Sequence, residues 1–311
     1  VTSTIRELEQ KGILIICIII VLSLFLAYIL STVLVKPLAR VTKAIEDLTD
    51  GYQQDEISVP DYTETELITD AFNKMLARMK VLDESRSEFV SNVSHELKTP
   101  MTSMKVLADS LVGQQGVPED LYQEFMRDIT AEIDRENRII TDLLTLVKMD
   151  KKNADLQIQH MSINQLLEDI LKRLRPIADK RNIDLILDSF RPVEADVDEL
   201  KFTSAISNLV ENAIKYNVDD GWVRVSLDAD HKFFYVTVAD SGMGIPEDSL
   251  SRIFERFYRV DKSHSREIGG TGLGLAITRS TIGMHHGVIK VFSKEGEGTT
   301  FSVRVPLSYI P

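Results

Sequence analysis

The sequence predicts a multi-domain chain: a transmembrane helix, then a dimeric helical coiled coil and four-helix bundle, then an α/β sandwich. Three observations predict it. Residues 13–35 carry no charged side chain, apolar residues recur at three- and four-residue spacing from Leu38 to Val147, and beyond Lys151 strand-like runs alternate with helix-like ones. A length of 311 residues exceeds one ordinary domain, and 43% hydrophobic with 27% charged residues is the composition of folded protein. The net charge of -12 repels nucleic-acid phosphates and argues against direct nucleic-acid binding. Cys17 is the sole cysteine, which excludes an intrachain disulfide and a cysteine-rich zinc site.

Ile13 to Val35 is long enough, at about 23 residues, to cross a bilayer roughly 30 Å thick. It is too long for a signal-peptide core and lacks a small-residue cleavage pattern. Lys36, Arg40 and Lys43 follow it closely, against Arg6 and Lys11 before it, which assigns the C-terminal side to the cytoplasm. Residues 1–12 then end an extracytoplasmic segment, and because the chain opens on Val1 rather than Met we expect a sensor part upstream.

Residues 36–85 read as a signal relay. Leu38, Val41, Ile45 and Leu48 form one short seam, Gly51 to Pro60 break it, and Ile68, Phe72, Met75, Met79, Leu82 and Phe89 form a second. Residues 86–152 read as a helical hairpin: a third helix to about Leu111, a turn at Gly113 to Gly116, and a fourth helix opened by Pro118. Leu121, Phe125, Ile129, Ile133, Ile140, Leu144 and Val147 give the fourth helix an apolar face too wide for two helices to bury, so a homodimeric four-helix bundle is expected. Residues 153–311 form the α/β unit, with strands at 183–187, 222–227, 233–239, 288–293 and 300–305, and helices at 163–175 and 199–215.

Six segments carry chemistry. In Ser94 to Pro100, Phe89, Val93 and Leu97 mark the buried stripe, and His95 lies about 200° around the helix from Val93, pointing outward. Thr99 shares its face, Glu96 adjoins it and can accept a ring N–H, and Pro100 frees the Glu96 carbonyl and is expected to bend the helix. Asn208, Asn212 and Lys215 project from one helix face, where two amides and an ammonium suit phosphates and a magnesium ion. Asp240 to Ile245 follows a strand, and Asp240 can accept a hydrogen bond from an exocyclic amine such as that of adenine. Gly269 to Leu275 is a glycine loop running into a helix, with backbone donors for phosphate but no Walker lysine. Ile253 to Arg259 is rich in aromatic and basic residues, and Phe254 and Phe257 read as core. Gly296 to Phe301 reads equally as a β-hairpin turn.

In this order the segments closely resemble those of bacterial membrane-bound sensor histidine kinases of two-component systems, from the membrane span nearly to Pro311. The resemblance implies a HAMP-like relay, although Thr63 to Leu67 lacks that module's Asp-Glu-Ile-Gly pattern, a HisKA-type dimerisation domain, and a GHKL-type domain of the Bergerat fold. It implies ATP and Mg²⁺ as cofactors, with His95 the phosphorylated residue, Glu96 the acid-base partner and Thr99 a helper in dephosphorylating a response-regulator partner. Asn208, Asn212, Lys215 and Tyr216 match the N box, Asn212 being the metal candidate. Asp240, Gly242, Gly244 and Ile245 match the adenine box, Arg259 belongs to the F box and reaches the γ-phosphate by analogy, and Gly270, Gly272, Leu273 and Gly274 match the lid box. Thr299 completes the expected nucleotide set. Asn217-Val218 replaces the Thr-Pro or Ser-Pro often found after the N box. Alternatives left open are a phosphatase-dominant protein and a catalytically silent dimeric scaffold.

Overall fold

The computed structural model describes residues 2–36, 39, 42–43, 63–113, 118–149, 156–260 and 270–310. It separates into two compact units, Val1–Val90 and Ser91–Pro311. In the first, α1 (Thr2–Leu30) is followed by a π-helical turn, Ser31–Val35. Lys11–Val33 is long and apolar enough to cross a membrane, and its side chains are exposed all round, as an apolar helix without protein neighbours must be. The seam through Leu38, Val41, Ile45 and Leu48 and the break from Gly51 to Pro60 lie outside the described residues.

Helix α2 (Thr63–Gly113) joins what the sequence divided into a second relay helix and a third helix. The reason is local. No glycine or proline interrupts residues 63–99, and Pro100 is accommodated inside the helix without ending it. Helix α3 (Glu119–Met149) opens just after Pro118, with Glu119 and Asp120 favourably placed in its first turn. Of the expected intervening turn only Gly113 is described.

The α/β part of the second unit contains β1 (Ile158–Ser162), α4 (Ile163–Asp179), β2 (Asp184–Ser189), β3 (Glu194–Asp198), α5 (Glu199–Lys215), β4 (Trp222–Ala229), β5 (Phe233–Asp240), α6 (Gly274–Met284), β6 (Val288–Lys294) and β7 (Gly298–Pro306). The main sheet has the order β2-β4-β5-β7-β6, parallel between β2 and β4 and antiparallel elsewhere. Alternation decides its faces. Val223, Val225 and Leu227 on β4, Phe234, Val236 and Val238 on β5, and Phe301, Val303 and Val305 on β7 point into one core, joined by Leu167 and Ile170 of α4 and Phe202, Ile206 and Leu209 of α5. The other face presents Trp222, Arg224 and Asp228 to solvent.

Both long helices of this domain are capped from the sequence: Ser162 accepts from the Gln165 N–H, and Asp198 accepts from the Lys201 N–H at 3.0 Å. Burial opposes ionisation of Asp198, but the hydrogen bonds from Lys201 and from the Gln157 N–H outweigh it and hold the carboxyl below its usual range. The five expected strands are all present. The small antiparallel sheet of β1 and β3 was not expected, because neither strand carries a clean apolar alternation.

Candidate functional site

A cleft of about 1000 Å³ opens beside α5. Helical periodicity brings Asn208, Asn212, Lys215 and Tyr216 to its floor. Asn208 is engaged, its Nδ2 donating to Thr278 Oγ1 of α6 at 2.9 Å. Among the described residues no hydrogen bond holds the Asn212 amide, which leaves its oxygen for a ligand. Lys215 Nζ lies 5.4 Å from the Tyr216 ring centroid. Burial, then the nearby Arg259 and Arg138 guanidinium groups, lower the Lys215 pKa to about 8.

The end of β5 delivers Asp240 to the opposite wall, with Gly244, Ile245 and Thr299 beside it. Asp240 is 9% exposed, and its Oδ1 accepts from the Gly242 N–H at 2.8 Å and the Thr299 N–H at 3.2 Å. No hydrogen bond to Oδ2 is seen among the described residues, and Asp240 lines the cleft. Burial raises the Asp240 pKa and the two N–H donors oppose that rise. Gly244 has φ +70°, and a Cβ there would overlap the Lys294 carbonyl, so this turn requires glycine. Gly298 to Thr299 is both the β6–β7 hairpin and part of the site, so the two readings of that segment coincide.

Arg259, Gly270, Gly272 and Gly274 line the third side. Gly272 has φ +69°, and its carbonyl accepts from the Phe257 N–H at 2.9 Å; a Cβ at Gly272 would press on the Phe257 backbone. Phe254 packs against the main core, edge-on to Phe301, and Phe257 against the lid cluster, so both aromatics are packing residues as expected.

Three site expectations change. Gly242 does not line the cleft: it is buried, and its N–H is spent on Asp240 Oδ1. Leu273 does not line the cleft: it is fully buried against Leu146, Ala276 and Ile277, because α3 covers the lid base. His95 is exposed on α2 as expected, but no bond joins it to Glu96 among the described residues, since consecutive helical side chains diverge by about 100°. Thr99 Oγ1 instead donates to the His95 carbonyl at 3.1 Å. None of His95, Glu96 and Thr99 lines the cleft.

Sequence reasoning missed two groups. One is the wall from α3, Arg135, Arg138 and Asp142, held by a second apolar stripe, Leu143, Leu146 and Met149, whose three-residue spacing was legible. The other is the support of the loop after α5. Buried Asn217 donates to the Trp222 carbonyl and accepts from the Val218 N–H and Ser241 Oγ, while Arg181 donates to the carbonyls of Ile214, Lys215 and Asn217.

Residues 85–152 match the His Kinase A (phospho-acceptor) domain, and residues 197–309 the histidine kinase-, DNA gyrase B- and HSP90-like ATPase family, a family that uses ATP. Sensor histidine kinase WalK of Bacillus subtilis is 35% identical over 228 residues, covering 72% of this chain and 37% of that protein. Sensor-like histidine kinase SenX3 of Mycolicibacterium smegmatis is 35% identical over 225 residues, covering 72% of this chain and 58% of that protein. The chain thus spans less than two thirds of the length of either relative. Among solved structures, histidine kinase ThkA in complex with response regulator protein TrrA has a TM-score of 0.60 at 23% identity, covering 80% of this chain and 69% of that one, a likeness of fold. The chain therefore carries a His Kinase A phosphoacceptor domain followed by a histidine kinase-, DNA gyrase B- and HSP90-like ATPase domain, and over 72% of its length it is similar to sensor histidine kinases.

Proposed function

We propose that this protein is a membrane-anchored, homodimeric sensor histidine kinase that phosphorylates His95 from ATP and passes the phosphoryl group to an aspartate of a response regulator. The observation that carries the reading is one cleft holding the buried Asp240, the Asn212 amide and the half-buried Lys215, in a chain that also presents His95 outward on a long helix. Asp240 suits the adenine amine. Lys215, Arg259 and the Gly270 to Gly274 loop suit the phosphates.

The Asn212 oxygen suits a magnesium ion, a hard cation that takes most of its remaining ligands from phosphates and water. Bound there, the ion would neutralise phosphate charge. The chain's own residues position the nucleotide, and the transfer is mainly positioning and charge stabilisation. A ring nitrogen of neutral His95 forms the bond to the γ-phosphorus as the bond to the β–γ bridging oxygen breaks. ADP leaves with that electron pair, and the ring proton passes to a base, the role the resemblance gives to Glu96. Because His95 does not line the cleft, reaction requires the two to meet in another arrangement, within one chain or across a dimer.

Lys11–Val33 is the proposed span, with the kinase domains cytoplasmic. Exposure of Thr99 one turn from His95 supports a role for it in regulator dephosphorylation, and Thr99→Ala should lower that activity selectively in a mixed assay with phosphorylated regulator. The direct test is incubation with magnesium and γ-labelled ATP. Acid-labile label that disappears in His95→Gln, with ATP affinity unchanged within about twofold, supports the kinase; label that persists in that variant overturns the assignment of His95.

A further inference from the structure

The nucleotide cleft is not closed by the ATPase domain alone. Helix α3 contributes Arg135, Arg138 and Asp142 to its wall. Their place along the cleft is fixed by contacts: Asp142 Oδ2 accepts from Thr271 Oγ1 at 3.0 Å, and Thr271 Oγ1 accepts from the Leu273 N–H at 3.2 Å. The adjoining Gly270 lies so near Lys215 that a Cβ on it would stand 3.1 Å from Nζ. This is the glycine-loop end, remote from the Asp240 turn in role and lined by Lys215 and Arg259. Leu146 of α3 anchors the arrangement by packing on Leu273, Ala276 and Ile277.

The two α3 arginines are only lightly committed within their own helix. Arg138 Nε donates to the Asp134 carbonyl at 3.4 Å, and Arg135 Nη1 stands 3.8 Å from Glu132 Oε1. Each therefore adds a guanidinium to a wall that already holds an ammonium, against the single α3 carboxylate of Asp142. The cleft lining as a whole balances Arg135, Arg138, Arg173, Lys215 and Arg259 against Asp142, Asp169, Glu199, Glu211 and Asp240, but Arg259, Arg138 and Arg135 all act on Lys215, and such a local cluster of cations suits a phosphate.

We propose that α3 is part of the ATP site: Arg138, seconded by Arg135, binds the terminal phosphate, while Asp142 ties the glycine loop to the helix through Thr271 and repels that same phosphate. This rests on the ATP reading of the cleft. Nucleotide binding and docking of α3 are then coupled, and by linkage each strengthens the other by the same factor. Loss of the γ-phosphate loosens the domain from the helix.

The test is ATP and ADP affinity of the full chain with magnesium, by titration calorimetry, for the unsubstituted protein, Arg138→Gln and Asp142→Asn. Arg138 is exposed, and Gln keeps most of its stem, so the fold should persist. Arg138→Gln is expected to weaken ATP about fivefold or more and ADP about twofold or less, and Asp142→Asn to tighten ATP. ATP bound equally well by Arg138→Gln, equal losses for ATP and ADP, or no tightening in Asp142→Asn would overturn the proposal. Failure of the unsubstituted chain to bind ATP would instead overturn the reading of the cleft itself.

Discussion

Lys215 holds its charge where water is scarce and three guanidinium groups are near, and its pKa is lowered from 10.5 to about 8. Two consequences have opposite signs. Between about pH 8 and 10.5 the unfolded lysine still binds a proton that the folded one has released, so this group's contribution to stability rises with pH across that window. A bound phosphate favours the ammonium, so ATP affinity should fall as pH climbs above about 8, approaching about tenfold per pH unit. Calorimetry in buffers of different ionisation enthalpy should register proton uptake on ATP binding near pH 8, and Lys215→Arg should abolish it. The alignment of Asn208, Asn212 and Lys215 was legible because it needs only the helical period. The fate of Leu273 was not, because a residue in a glycine loop faces ligand or core according to which distant helix packs on it. Nor was the role of Asn217, whose partners come from Trp222 and Ser241 once the chain has turned back.

At the scale of elements, the helix that the sequence assigned to bundle formation has two apolar faces. Ile133, Ile140, Leu144 and Val147 remain exposed, while Leu146 is 2% exposed against α6 and the lid. Leu146→Ala should weaken that contact by about 2–4 kcal/mol. The check is amide hydrogen exchange: α6 should lose protection while β4, β5 and β7 keep theirs, and uniform loss would instead mean global destabilisation. The strands were legible for the opposite reason from the helix contacts, since alternation on β4, β5 and β7 records one buried face directly. The β1 and β3 pair escaped because short half-polar strands record little. Continuity of α2 through Pro100 was legible, whereas the division between relay and hairpin near residue 85 was not borne out as a helix end, because no glycine or proline lies between 63 and 99.

For the whole molecule, the exposed α3 face is the surface on which the proposed dimer would form: Leu144 and Val147 are 55% and 52% exposed. Leu144→Glu should shift the sedimenting species toward monomer while ATP affinity is retained; a chain that sediments as a monomer before substitution would remove the dimer from the proposal. Domain order was legible because each unit has its own period, whereas the docking of α3 on the ATPase domain depends on surfaces that become adjacent only after both have folded. The loop after α5 carries a last consequence. Where the resemblance leads one to expect a proline, whose ring stiffens a chain covalently at any temperature, this chain relies on the Asn217 amide and the Arg181 guanidinium. Its rigidity is enthalpic and so fades on warming or in urea. The grip on nucleotide should therefore soften before the sheet melts, making the site, rather than the fold, the part of the domain that first registers heat.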